Sequence, residues 1–227
     1  MNRVRKFFED WTIFEKIWLC LSIVLMITLS IIWEEKPLAL ISGLAGVISV
    51  VLCAKGKLIN YGFGMVQAVT YIFLCYESKI YGEVMYNIAM IPMIIIGFLS
   101  WRKHMKEEQE EVQTRNLSLK GWLVLIVTMI LSVWGYCAIL MYIGGNFAFL
   151  DATSTVLSAI ASILMIARYS EQWLVWIFVN ITSIVLWVYA FSTGDTSAIT
   201  MIVMWSAYLF NSIYGYINWR KLAKNDK

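Results

Sequence analysis

The sequence predicts an all-α integral membrane protein with eight transmembrane helices, an extra N-terminal helix followed by a 3+1+3 parallel-repeat bundle. Three observations predict it. The 227 residues are 60% hydrophobic and 15% charged, with a mean hydropathy of +0.71, whereas soluble domains carry about a quarter charged residues. Apolar runs near the ~20 residues needed to cross a bilayer recur from end to end. Finally, the segment GFLSWRK at 97–103 returns as GYINWRK at 215–221, an offset of 118.

Taken in order, the apolar runs give helices near 14–33, 38–54, 58–76, 80–101, 122–143, 148–167, 172–192 and 198–219. The polar stretch from Trp33 to Pro37 ends the first, and Pro37 suits the opening turn of the second. Lys55-Gly56-Lys57 and Glu77-Ser78-Lys79 part the second, third and fourth. Gly144-Gly145-Asn146 and the stretch from Ser192 to Ser197 supply the later turns. A basic start followed by an apolar run could signal secretion, but no small-residue cleavage site follows, so the run reads as a retained first helix.

At the 118 offset Tyr71 meets Tyr189 and Glu77 meets Asp195, so helices two to four resemble helices six to eight. The fifth helix is then a connector, and a single-span connector leaves both triplets in the same membrane orientation. The chain divides accordingly: an N-terminus and extra helix at 1–37, a first repeat at 38–103, and a linker and connector at 104–147. A second repeat at 148–221 and a tail at 222–227 complete it. Parallel repeats of this kind occur in transporters, with the substrate site near the midplane at the repeat interface.

Basic residues give the orientation. One set of connections and both ends carry Arg3, Arg5, Lys6, Lys55, Lys57, Arg102, Lys103, Lys106, Arg115, Lys120, Arg168, Arg220, Lys221, Lys224 and Lys227. The opposite connections carry only Lys36 and Lys79. The positive-inside bias then puts both termini in the cytoplasm of a multi-pass cell-membrane protein, consistent with an even number of spans. The net charge of +3 therefore reports topology, not nucleic-acid binding.

Several chemistries are excluded. Cys20, Cys53, Cys75 and Cys137 fall in apolar runs without paired spacing and read as small hydrophobes. The sole histidine, His104, lies in the charged linker, which removes His-based metal sites and His-dependent triads. No cofactor, no metal and no enzyme activity are expected. Glu83 and Asp151 lie near the outer helix ends, so no deep ionisable relay presents itself, which favours a uniporter over an ion-coupled pump.

Neutral polar and aromatic groups remain. In WLVWIFVN at 173–180, Trp173, Trp176 and Asn180 stand at i, i+3 and i+7, offsets that share a helix face. An amide beside two indoles makes a site for a flat polar ligand, while Trp173 alone fits an interfacial aromatic belt equally well. Asn180 must find its partner inside the protein. Gln67 lies about 13 Å into the third helix at 1.5 Å per residue, with Tyr71 one turn on and Asn60 and Gly64 before it. Asn87 lies one turn past Glu83, and Tyr208, Asn211 and Gly215 share a face of the last helix. Each could serve as helix–helix glue; together, interleaved with aromatics, they read better as a lined cavity. Ser42, Gly43, Gly46, Ser49, Thr155, Ser158 and Ser162 read as packing faces, and Pro92 as either a flex point or a static kink.

The run from Asp151 through Arg168, Glu171, Trp173, Trp176 and Asn180 to Gly215-Tyr216-Ile217-Asn218-Trp219-Arg220 resembles the PnuC family of vitamin-precursor transporters. So does the run Asn60, Gly64, Tyr71, Tyr81-Gly82-Glu83, Asn87, Pro92, Gly97 and Trp101, and the likeness spans about 38–221. The resemblance implies a 3+1+3 arrangement related to SWEET transporters. It also implies facilitated uptake of nicotinamide riboside by alternating access, with the substrate trapped by a cytoplasmic kinase. It places substrate stacking on Trp173 and Trp176 and polar recognition on Asn180. The implied partners are the small-molecule substrate, the lipid bilayer, the kinase as a functional neighbour, and a homo-oligomer. Thiamine or riboflavin is the alternative cargo, and a non-transporting membrane scaffold or sensor the alternative class. A cationic pyridinium can bind a Trp face for about 0.5–2 kcal/mol, and thiamine would satisfy the same physics.

Overall fold

The structure is a computed structural model that describes residues 8, 11–32, 36–77, 81–105, 111–142, 148–192 and 198–225. Among these residues the chain forms eight α-helices: α1 (Ile13–Ile32), α2 (Pro37–Ala54), α3 (Asn60–Glu77), α4 (Tyr81–Arg102), α5 (Leu119–Tyr142), α6 (Ala148–Ile166), α7 (Gln172–Ser192) and α8 (Ala198–Asn225). Arg3, Arg5, Lys6, Lys79, Lys106, Gly144-Gly145-Asn146 and Asp195 lie outside the described residues, as do the side chains of Cys75, Glu83, Asp151 and Tyr189. Two helix ends depart from the hydropathy reading. The α5 start moves back to Leu119, where Ser118 Oγ accepts the Gly121 N–H at 3.2 Å and caps the first turn. The α8 end runs on to Asn225, because nothing in its last turns breaks a helix.

Among the described residues three helices are long and apolar enough to cross a membrane by length and composition: α1, α2 and α5. Shorter apolar stretches run over Tyr86–Arg102, Ala152–Ile166 and Gln172–Val185. This is a membrane protein.

The chain splits into two compact units, Met1–Val112 and Gln113–Lys227. In the first, α1 packs on α2, α2 on α3 and α3 on α4. The α1 start is a capping box: Thr12 Oγ1 accepts the Glu15 N–H at 3.2 Å, and Glu15 Oε2 accepts the Thr12 N–H at 2.6 Å. Glu15 also binds Lys55 Nζ at 3.1 Å, and Glu111 approaches the same ammonium at 3.6 Å. All three are buried, so one cation joins the foot of α1, the α2–α3 turn and the linker. The small residues of α2 do pack closely: Ser42 Oγ reaches the Gln67 carbonyl at 3.5 Å and Ser49 Oγ donates to the Asn60 carbonyl at 2.8 Å.

In the second unit α5 packs on α6, α6 on α7 and α7 on α8. Its core joins Leu125 of α5, Leu157, Ala161 and Leu164 of α6, and Val175 and Val179 of α7.

One turn geometry occurs in both units. In the first, α2 ends in a Schellman motif: Gly56 donates to the Cys53 carbonyl at 2.9 Å and Lys57 to the Leu52 carbonyl at 3.0 Å. In the second, Arg168 donates to Met165 at 3.0 Å and Tyr169 to Leu164 at 2.9 Å. Gly56 (φ 72°) and Arg168 (φ 66°) occupy the same left-handed position, which suits glycine and costs arginine. Arg168 is held there by its Nη1, which donates to the Gln113 carbonyl at 3.0 Å, and by its own carbonyl, which accepts the Arg115 N–H at 2.8 Å. The matching Gly56 carbonyl accepts the Val112 N–H at 2.9 Å.

The offset at these matched turns is 112, not 118. The gap-free pairing of Tyr71 with Tyr189 therefore does not hold, and Tyr71 corresponds to Ser183. The 118 offset applies to α4 and α8 alone, because α7 is longer than α3 (21 against 18 residues) and a longer connection follows it.

Candidate functional site

The repeated GxxxW segment builds the same corner in each unit. Tyr61, second residue of α3, lies edge-on to Trp101 of α4, with ring centroids 5.0 Å apart and planes at 84°. Trp173, second residue of α7, lies edge-on to Trp219 of α8 at 6.0 Å and 80°. One turn before each fixed Trp is a glycine over which the other ring lies. A Cβ at Gly97 would fall 2.5 Å from the Tyr61 ring, and one at Gly215 would fall 2.6 Å from the Trp173 ring. Only glycine admits so close an approach. Trp101 and Trp219 are wholly buried, and Trp173 is 2% exposed.

Trp173 is therefore already packed, its ring between Gly215 and the edge of Trp219. Its Nε1 has no hydrogen-bond partner among the described residues. Asn180, two turns further along α7, is also turned toward α8, where its Nδ2 donates to Ser212 Oγ at 3.0 Å. Trp176 differs from both: it is half-buried against the α5–α6–α7 core. Helical spacing explains this, since 100° steps place residue 176 between Val179 and Asn180 around the axis. Asn211 is buried beside Ser212 in α8. Tyr208, one turn back, meets Trp205 edge-on at 5.8 Å. The second unit thus brings Trp173 and Asn180 together with α8 and sets Trp176 at the margin of that face.

In the first unit Gln67 lies over Gly46, where a Cβ would sit 3.1 Å from the carboxamide. Asn60 is buried in the α2–α3 turn, its Nδ2 donating to the Lys57 carbonyl at 2.6 Å while its Oδ1 has no partner. Gly64 faces Ser49 Oγ. Tyr71 is 38% exposed and Asn87 half-buried. Gln67 lies seven residues beyond Asn60, about 10 Å along α3.

Sequence reasoning gave no site role to three polar residues. Ser212, partner of Asn180, looked unremarkable in an apolar helix. Glu171 and Gln172, immediately before Trp173, are wholly buried, and among the described residues both carboxylate oxygens and both amide atoms lack hydrogen bonds. The Arg220 guanidinium stands 3.8 Å from Glu171 Oε1. The sequence did carry a signal here: an acidic and an amide residue opening an apolar helix. Among the described residues no group of histidine, cysteine and carboxylate side chains could hold a metal. Cys20, Cys53 and Cys137 are free thiols.

The model of the family described as Nicotinamide mononucleotide transporter matches residues 36–221. A Haemophilus influenzae protein named nicotinamide riboside transporter PnuC is 40% identical over 97% of this chain and 95% of its own length. Its Neisseria mucosa namesake is 38% identical over 97% of this chain and 86% of that one. The chain belongs to the PnuC family. A crystal structure described as the vitamin B3 transporter PnuC matches it with a TM-score of 0.83 and 36% identity, covering 98% of this chain and 97% of that one. PnuC proteins are transporters, not enzymes, and the all-helical membrane fold described above is theirs.

Proposed function

We propose that this protein takes up nicotinamide riboside across the cell membrane by facilitated diffusion. The observation that carries the reading is the near full-length similarity to two transporters named for that nucleoside. The family description names the mononucleotide instead. The difference is one phosphate, and a buried phosphate needs Arg or Lys partners. The candidate residues Asn60, Gln67, Tyr71, Asn87, Trp173, Trp176, Asn180, Tyr208 and Asn211 are all uncharged. They suit a carboxamide, ribose hydroxyls and a pyridinium, and they favour the riboside.

In this proposal the eight helices all span the membrane with both termini cytoplasmic. Helices α2–α4 and α6–α8 form two parallel repeats about the connector α5. The matched turns and matched Gly–aromatic–Trp corners support that duplication. Within the second unit, Trp176 offers the stacking face and Asn180 and Asn211 the polar contacts. Trp173 holds α7 against α8 and offers its indole N–H. Alternating access moves the substrate without a coupled ion, and a cytoplasmic kinase traps it by phosphorylation.

The test is thermal stabilisation of the purified protein by nicotinamide riboside, nicotinamide mononucleotide, thiamine and riboflavin side by side. Binding to the folded state alone stabilises by about 2.7 kcal/mol at a hundred times the dissociation constant. The expected result is a shift with the riboside only. A shift with thiamine or riboflavin instead would keep the fold and rename the cargo; no shift with any would support a scaffold or sensor.

A further inference from the structure

The second unit carries a feature that the transport reading does not use. An open groove of about 380 Å³ lies between α5 and α6, lined by alkyl side chains such as Val124, Leu125, Ile160 and Leu164. At its α5 N-terminal end the lining is Lys120, which has no ion-pair partner among the described residues. Gly121 beside it leaves the wall without a side chain. Two further cations flank the lining in sequence: Arg115 comes two residues before Leu117, and Arg168 four residues after Leu164. The Arg115 guanidinium stacks 4.3 Å over the Tyr169 ring and donates to its hydroxyl. Tyr169 packs against the same core as groove-lining Leu117. Buried Arg168 sits close enough for Arg115 to act on it as a like charge, and its Nε has no partner. Beyond the groove α5 keeps its alkyl groups outward: Leu123 and Leu131 are each more than 60% exposed.

We infer that the α5–α6 groove holds an anionic glycerophospholipid, an acyl chain along the alkyl walls and the phosphate at Lys120 and Arg115. The inference rests on the proposed topology, which puts the α5 N-terminus at the cytoplasmic leaflet, where anionic lipids attract Lys and Arg. A lipid matches the groove end for end: one cationic mouth, then alkyl walls broken only by Thr128. A second copy of the chain would have to bring a matched acidic group and an interlocking apolar ridge to the same place. Lys120 is then a lipid ligand in addition to a topology signal.

The experiment is native mass spectrometry of the purified full-length protein after exposure to mixed phosphatidylglycerol and phosphatidylcholine, with Lys120→Gln and Val124→Phe as variants. Wild type is expected to retain phosphatidylglycerol at least fivefold over phosphatidylcholine. Lys120→Gln should abolish that preference, and Val124→Phe, which fills the groove, should remove retention of both. Equal retention of the two lipids by wild type, or unchanged retention in both variants, overturns the site. So does a change in protomer number with Val124→Phe at unchanged lipid retention, which would assign the groove to a second copy. Nicotinamide riboside thermal shifts on the same three proteins separate the two readings. Loss of lipid selectivity with the vitamin shift intact concerns the groove alone. A wild type that keeps its lipid but gives no vitamin shift sinks the transport reading instead.

Discussion

Asn180 is a buried amide whose partner the neighbouring helix supplies. It lies 2% exposed in an otherwise apolar helix, and its hydrogen bond to Ser212 Oγ spares it the cost of an unpaired polar group. Ser212→Ala removes that partner and leaves the amide in place. It should lower the melting temperature through loss of one hydrogen bond, about 1 kcal/mol, with nicotinamide riboside affinity within about threefold of wild type. Asn180→Ala and Trp176→Ala should instead weaken binding tenfold or more, at least about 1.4 kcal/mol, in variants that still fold. Titration calorimetry checks both, and wild-type affinity in the Asn180 and Trp176 variants would remove them from the site. At this scale the sequence shows which residue types matter but not how each is occupied. Trp173, Trp176 and Asn180 share an i, i+3, i+7 face on paper, yet Trp173 is taken up by Gly215 and Trp219 while Trp176 leans into the α5–α6–α7 core. Partner choice depends on the neighbouring helix, which a single-helix pattern does not contain.

Among the elements, the tight pairs α3–α4 and α7–α8 depend on glycine beneath an aromatic ring. Gly215→Ala puts a methyl 2.6 Å from the Trp173 ring. Such overpacking should cost about 1–3 kcal/mol. Adding Trp173→Ala to that variant should restore part of the lost stability, since it makes room for the methyl. Thermal melts of the two single variants and the double variant check this; strictly additive losses would mean that the ring and the glycine do not share one space. Helix existence was legible because every apolar run is bounded by charge or glycine. The proposed repeat is legible in the sequence only at α4 and α8, where GFLSWRK and GYINWRK share Gly, Trp, Arg and Lys. At the matched turns and corners the residues differ, Gly56 against Arg168 and Tyr61 against Trp173, and a six-residue shift hides the match from any fixed offset.

For the whole molecule, the buried Lys55 ammonium holds the foot of α1 to the α2–α3 turn and to Glu111 of the linker. Lys55→Met leaves buried carboxylates without their counter-ion and should cost about 3–5 kcal/mol, the usual scale for breaking a buried pair. A melting temperature within a degree of wild type would show that α1 is held by its apolar face alone. Transport without a coupled ion makes a separate demand: Glu83→Gln should leave both the rate of uptake and its pH dependence unchanged, and a lost pH dependence would make Glu83 a proton carrier. The central claim is tested most directly by uptake of radiolabelled nicotinamide riboside into proteoliposomes holding only the purified protein, with no ion gradient imposed. The account predicts saturable uptake that equilibrates the inner and outer concentrations, and loss of it in Asn180→Ala. Accumulation above the outside concentration, or no uptake above protein-free vesicles, would contradict it.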